Sequence, residues 1–208
     1  MTNVTAPTIA NPPQMKTDLS RYDNSWYKPG SSAKRVLWYY LSLLFFQNSF
    51  FPISSFKVAL LRLFGAKVGR GVVVKPNVLI KYPWKLAVGD HVWIGERVWI
   101  DNLADVTIGD HACLSQEAYL LTGNHNFKLP TFDLMVKPIR LEEGAWIGAR
   151  AVVCPGVTCR SHSILAVGSV ATQELLPYSI YQGNPAVKVR ERVVGESNQQ
   201  SAIGNQQS

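Results

Sequence analysis

Aliphatic residues recur at every sixth position along most of this chain, a period that suits neither an α-helix nor a half-buried strand. The register runs Val68, Val74, Ile80; Val88, Ile94, Ile100; Ile108, Leu114, Leu120; Leu141, Ile147, Val153; and Cys159, Leu165, Ala171. Thirteen of these fifteen positions are Val, Ile or Leu, and the exceptions, Cys159 and Ala171, are small and close the series. Each hexapeptide of such a series makes one flat face, three make a coil, and stacked coils make a triangular parallel β-helix. At the usual strand spacing of about 4.8 Å, five coils give a prism roughly 24 Å tall. Glycine follows the inward aliphatic at Gly69, Gly89, Gly95, Gly109 and Gly148, which predicts that the chain bends there at little steric cost.

The departures from this period all fall at one corner. Ile80 to Val88 and Ile100 to Ile108 each take eight residues, Leu120 to Leu141 takes twenty-one, and Val153 to Cys159 takes six. The long step carries an inserted loop, 122–138, and a loop of that length in a compact domain is usually functional. The chain therefore divides into a flexible, proline-bearing arm (1–32) and an apolar helical segment capping the solenoid (33–66). The β-helix with its insert (67–173), a C-terminal extension (174–194) and a polar, disordered tail (195–208) follow. The arm lacks the charged start and apolar run of a secretory signal.

Charge is distributed unevenly. Residues 1–86 hold 12 Lys/Arg against 2 Asp/Glu, whereas 87–208 hold 9 against 12. The basic half also holds the most apolar stretch, VLWYYLSLLFF at 36–46, and a second, FKVALLRLF at 56–64. Neither reaches the about 20 residues a bilayer span needs. Both suit short helices closing the open bottom of the prism. Lys34, Arg35 and the aromatic cluster also suit peripheral contact of 33–64 with an anionic membrane surface, and the two readings are compatible. No three basic residues are adjacent, which argues against nucleic acid. Three cysteines, Cys113, Cys154 and Cys159, give no disulfide framework and suit packing in a reducing cytoplasm.

Of four histidines, His91, His111 and His162 each lie three residues after the first inward position of a coil and read as polar residues at a solvated corner. His125 breaks the pattern. It lies in the inserted loop, in the run LTGNHN, where Gly123 and Asn124 permit a sharp turn. An imidazole on a loop over a rigid prism suits general-base chemistry near neutral pH.

The register, the loop TGNH, the segments GAWIGARAVVCPGV and VGSVAT and the C-terminal YQGNPAVKVR together resemble the hexapeptide-repeat O-acetyltransferases. The colanic-acid or exopolysaccharide-biosynthesis type is the nearest match: its members carry stretches like LRLFGAKVGRGVVVKPNV, KYPWKL and VWIDNLADVTIG. The resemblance covers roughly 33–194. It implies an all-β fold: a left-handed parallel β-helix of about five coils, with short N-terminal helices and an inserted active-site loop. It also implies a homotrimer with active sites between subunits, acetyl-CoA as donor and no metal. On it, His125 matches the catalytic base. The backbone N–H of Ala149, just after Gly148, matches an oxyanion donor, and Trp146 the wall of the thioester site. Val167, Gly168 and Thr172 match contacts to the pantetheine arm, and Arg190 a phosphate contact. The family commonly has a basic residue directly after GNPA; here Val187 stands there and Lys188 comes one later, which predicts weaker nucleotide binding.

Asp101 and Asn102 sit at the insertion-prone corner one coil below His125, roughly where the sugar acetyltransferases contact the acceptor. Binding of local backbone is an equal reading. Phe127, Phe132 and Tyr119 suit either sugar stacking or packing. The function implied is transfer of acetyl from acetyl-CoA to a hydroxyl of a sugar or lipid-linked saccharide in exopolysaccharide biosynthesis. The enzyme would be cytoplasmic, either free or peripheral at the inner face of the membrane. A xenobiotic acetyltransferase and a non-catalytic scaffold are the alternatives. A zinc β-helix needs three converging histidines, which one off-register histidine does not supply.

Overall fold

The structure, a computed structural model, describes residues 15–195, so most of the C-terminal tail and the first part of the arm lie outside the described residues. Two units are distinguished: residues 29–123 with the chain from 136 onward, and the arm to residue 28 with 124–135.

The first unit is the solenoid. One parallel sheet stacks Lys67–Val68, Leu86–Val88, Val106–Ile108, Ile139–Leu141 and Thr158–Cys159. A second stacks Val73–Val74, Trp93–Ile94, Cys113–Leu114, Trp146–Ile147 and Ile164–Leu165, and a third Leu79–Ile80, Trp99–Asp101, Tyr119–Leu121, Val152–Val153 and Val170–Ala171. Register partners are those the period names: Val88 faces Ile108, Ile108 faces Leu141, and Ile147 faces Leu165. Fourteen of the fifteen register positions are buried, and Val68, at the open lower end, is partly so. A second inward row stands two residues earlier in each hexapeptide, including Val72, Val78, Val92, Val98, Ala112, Ala118, Ala145 and Ala151. The simple six-residue period does not show it, although strand alternation requires it.

The solenoid does not end at 173. Leu175 bridges Cys159 in parallel and Ser179–Gly183 runs parallel to Ile164–Leu165, placing Leu175 and Tyr181 on the core as a partial sixth turn. Leu175 follows Ala171 by a step of only four positions, which hides this turn from a six-residue ruler. Ala186–Glu191 then folds back antiparallel on the last strand.

The glycines following the inward aliphatics have a different role from the one expected. None of the five has a positive φ. A Cβ at Gly148 would stand 2.7 Å from the Val167 nitrogen, and one at Gly109 2.7 Å from the Glu143 nitrogen. These positions are glycine because the backbone of the next coil passes too close for a side chain. The left-handed turn conformation falls three residues after the inward position and is held mostly by other residues. At one corner these are Gly71, His91, His111, Gly144, His162 and Tyr178; at the next, Asn77, Arg97, Glu117, Arg150 and Gly168. The side chains stack from coil to coil. His91 lies on His111 at 5.3 Å and His162 on Tyr178 at 4.8 Å, while Glu117 bridges Arg97 (3.5 Å) and Arg150 (2.6 Å).

Two helices, α1 (Ser32–Phe45) and α2 (Ser54–Leu63), occupy the lower end. The first coil has no neighbour beneath it, so its outward backbone groups would lack partners. Side chains supply them. Trp38 Nε1–H donates to Ile80 (2.8 Å), Arg62 to Val68 and Gly69, and Lys57 Nζ to Lys75 (3.1 Å), while Ser54 Oγ accepts from the Val74 N–H (2.8 Å). This explains a fully buried lysine: Lys57 lies in the apolar core, where burial pushes its ammonium pKa down, and its proton is spent on the sheet edge. Phe46 and Phe64 pack on Trp38 at ring distances of 5.2 and 5.1 Å.

The insert forms a hairpin in which Gly123–His125 pairs with Leu134–Val136. The arm is tied to this insert at Asp18, whose N–H donates to Pro130 (2.8 Å); the Asp18 carboxylate caps the short turn Leu19–Arg21 through Ser20.

Candidate active site

The hairpin positions His125 closely. Its ring lies flat on Phe132, 4.5 Å between centroids and 5° between planes, with Tyr22 of the arm tilted against it at 5.8 Å. Phe132 takes a positive φ of 54°, which turns its carbonyl toward the imidazole, and Nδ1 stands 2.9 Å from that oxygen. A carbonyl can only accept. A neutral His125 therefore carries its proton on Nδ1 and presents Nε2 as a lone pair. Phe132 is thus a packing partner of His125. Neither its carbonyl nor Tyr22 could have been found in the sequence, because both contacts depend on the path of aperiodic chain.

On the solenoid, four expected cofactor contacts are brought to one corner. The Gly148 N–H donates to Leu165 (2.8 Å), the Gly168 N–H donates to Ala149 (2.9 Å), and Val167 lies directly against Gly148. The Ala149 N–H donates to no described residue. Trp146, just before this corner, points outward half-exposed, its indole N–H held by Ser115 Oγ at 2.9 Å. Thr172 follows the inward Ala171 of the third sheet and is exposed. Arg190 lies on the C-terminal hairpin opposite Ile180, exposed and without an ion pair to a described residue. Val187 faces Gln182, and Lys188 is ion-paired with Glu191 at 2.6 Å, which leaves that lysine less available than its position in the motif suggests. A bulge at Ile180/Tyr181 shifts the register of this hairpin.

Asp101 and Asn102 meet different surroundings. The Asn102 side chain is buried and spent on one backbone unit: Oδ1 accepts from the Tyr82 N–H (2.9 Å) and Nδ2 donates to the Tyr82 carbonyl (2.7 Å). Asp101 is 8% exposed, with Lys81 Nζ 2.8 Å from Oδ1. Lys81 follows Ile80 as Asp101 follows Ile100, so the register carries this pairing although it was not anticipated. Tyr119 stacks on Trp99 at 4.7 Å, and its hydroxyl pKa is raised by burial and by the nearby Asp101 charge. Among the described residues no three His, Cys, Asp or Glu side chains are grouped so as to hold a metal ion.

No family model matches the chain. It is 38% identical over 170 residues to WcaF of Escherichia coli (strain K12), which is named as a colanic acid biosynthesis acetyltransferase; the match covers 82% of this chain and 93% of the relative. Its fold is similar to that of the hexapeptide-repeat acetyltransferase VCA0836 of Vibrio cholerae O1 biovar eltor, solved with acetyl coenzyme A. That likeness has a TM-score of 0.72 at 26% identity and covers 80% of this chain and 93% of the other. A galactoside acetyltransferase solved with coenzyme A gives a TM-score of 0.69 at 26% identity, covering 76% and 80% of the two chains. A hexapeptide register folded into three parallel sheets, together with a relative matched over most of both sequences, establishes that the chain belongs to the hexapeptide-repeat acetyltransferases and is an enzyme of that kind.

Proposed function

We propose that this enzyme transfers acetyl from acetyl-CoA to a hydroxyl of a sugar, free or lipid-linked, in exopolysaccharide biosynthesis, with His125 as general base. The observation that carries this reading is the Nδ1 contact to the Phe132 carbonyl, which leaves Nε2 free to take a proton. The hydroxyl gives its proton to Nε2 as its oxygen attacks the thioester carbonyl. The tetrahedral oxyanion is met by the Ala149 N–H, and such a donor is worth about 10²–10³ in rate. Collapse breaks the C–S bond, and the imidazolium returns the proton to the departing thiolate. Trp146, Gly148, Val167, Gly168 and Thr172 serve the thioester and pantetheine, and Arg190 serves the phosphates, where a guanidinium suits the geometry. Asp101 is the acceptor contact kept in this reading, since the Asn102 amide is already engaged. Assembly as a homotrimer and a cytoplasmic location follow the same family reading.

The test is thiol release from acetyl-CoA with pyranosides, nucleotide sugars and chloramphenicol, wild type beside His125→Ala. Activity on a pyranoside that falls by about 10²–10⁴ in a folded variant supports the proposal. Activity on chloramphenicol alone replaces the acceptor class, and failure to bind acetyl-CoA replaces the catalytic reading with a scaffold.

A further inference from the structure

Helix α1 is apolar on two sides. Trp38 and Ser42 face the solenoid, while Val36, Leu37, Tyr39, Tyr40, Leu43 and Leu44 are each 40–64% exposed. At about 100° per residue these six cover an arc of roughly 160° on the side away from the core. Phe50, in the turn after the helix, is 97% exposed and adds a further uncovered apolar side chain. An uncovered apolar arc on a helix that already buries its other side marks an interaction surface. Fourteen residues rise only about 21 Å, short of a bilayer core, and no described helix is long and apolar enough to cross a membrane.

The charge around this face selects the occupant. Residues 29–86 contain nine Lys/Arg and no Asp/Glu. Lys57, Arg62, Arg70, Lys81 and Lys85 are engaged by the solenoid. Lys34, Arg35, Lys67 and Lys75 meet no carboxylate among the described residues, and Lys34 and Arg35 stand at the start of α1, at the flanks of the exposed arc. A second copy of the same face would set cation against cation. A cleft of about 300 Å³ opens between α1 and the lowest coil, lined by Arg35, Tyr39, Lys81 and Tyr82. Arg35 Nε is buried there with no hydrogen-bond partner. A buried guanidinium N–H without an acceptor is costly unless an anion meets it.

We infer that α1 and the Phe50 turn dock on an anionic lipid bilayer. The aliphatic and tyrosine side chains enter the interfacial zone, and Arg35 takes a headgroup phosphate in the cleft. An apolar face flanked by basic residues, at the interface plane rather than across the membrane, is the arrangement such surfaces require.

The test is flotation of the full chain with vesicles of phosphatidylcholine, alone or with about one-third phosphatidylglycerol. Two variants are compared: Leu37→Ser/Tyr40→Ser/Leu44→Ser, all exposed positions, and Arg35→Gln. Oligomeric mass and thiol release with a soluble pyranoside are measured on the same preparations without vesicles. Expected are binding to the anionic vesicles only, a loss of at least about tenfold in the triple variant and about fivefold in Arg35→Gln, and unchanged mass and turnover. Equal binding to neutral vesicles, no binding, or unchanged binding by the triple variant overturns the inference. So does a change of oligomeric mass, which would make the face a subunit contact. Because turnover is read without vesicles, a membrane-independent failure of the catalytic reading is seen separately.

Discussion

Gly148→Ala measures how tightly the coils are locked at the corner that carries Ala149. The new Cβ would lie 2.7 Å from the Val167 nitrogen and 2.8 Å from the Ala166 carbonyl carbon and the Leu165 oxygen, all backbone atoms of the next coil. Reaching ordinary contact needs a separation of about 0.7 Å more. That movement would stretch two hydrogen bonds, Gly148 to Leu165 (2.8 Å) and Gly168 to Ala149 (2.9 Å), beyond useful length. Two such bonds, one of them at a buried glycine, amount to about 2–4 kcal/mol. Gly168→Ala is the control. Nothing lies within 4 Å of its Cβ, so only its φ of +66° opposes a side chain. That conformation costs about 1–2 kcal/mol, and Glu117 and Arg150 already adopt it at the same corner. Urea denaturation of both variants should show Gly148→Ala the less stable, by about 1.5 kcal/mol between the middles of the two ranges. Its kcat should also fall by about tenfold as the Ala149 donor is displaced. Equal stability of the two variants would refute close approach as the reason for glycine after the inward aliphatic.

Asn102→Ala removes both side-chain partners of the Tyr82 backbone and should cost about 2–3 kcal/mol in the same denaturation experiment. The KM for an acceptor should stay near wild type, whereas Asp101→Asn should raise it; a raised KM in Asn102→Ala would return that residue to the acceptor site. Burial pushes the Cys159 thiol up to about 12, from an ordinary value near 9. The unfolded chain releases that proton first, so this contribution to stability is complete below about pH 9 and declines by about 1.4 kcal/mol per pH unit up to about 12. The stability difference between wild type and Cys159→Ala should carry that slope, and a flat difference would sink the assignment.

The six-residue period alone determined which residues face the core and which stack on one another. A repeat of fixed length aligns equivalent positions, so Val88 over Ile108, Lys81 beside Asp101 and the Arg97–Glu117–Arg150 ladder are all contained in the numbering. The family motifs and the single off-register histidine were equally legible. The tertiary structure decided what has no period. The lower coil needed partners for its backbone, and Trp38, Ser54, Lys57 and Arg62 provide them at separations no local pattern announces. The partial sixth turn became visible only through the pairing of Leu175 and Tyr181. The state of His125 rests on a carbonyl seven residues away, turned inward by a hairpin. Side-chain identity encodes stacking where the backbone repeats; where it does not, hydrogen bonding and steric fit depend on a path that only the folded chain provides.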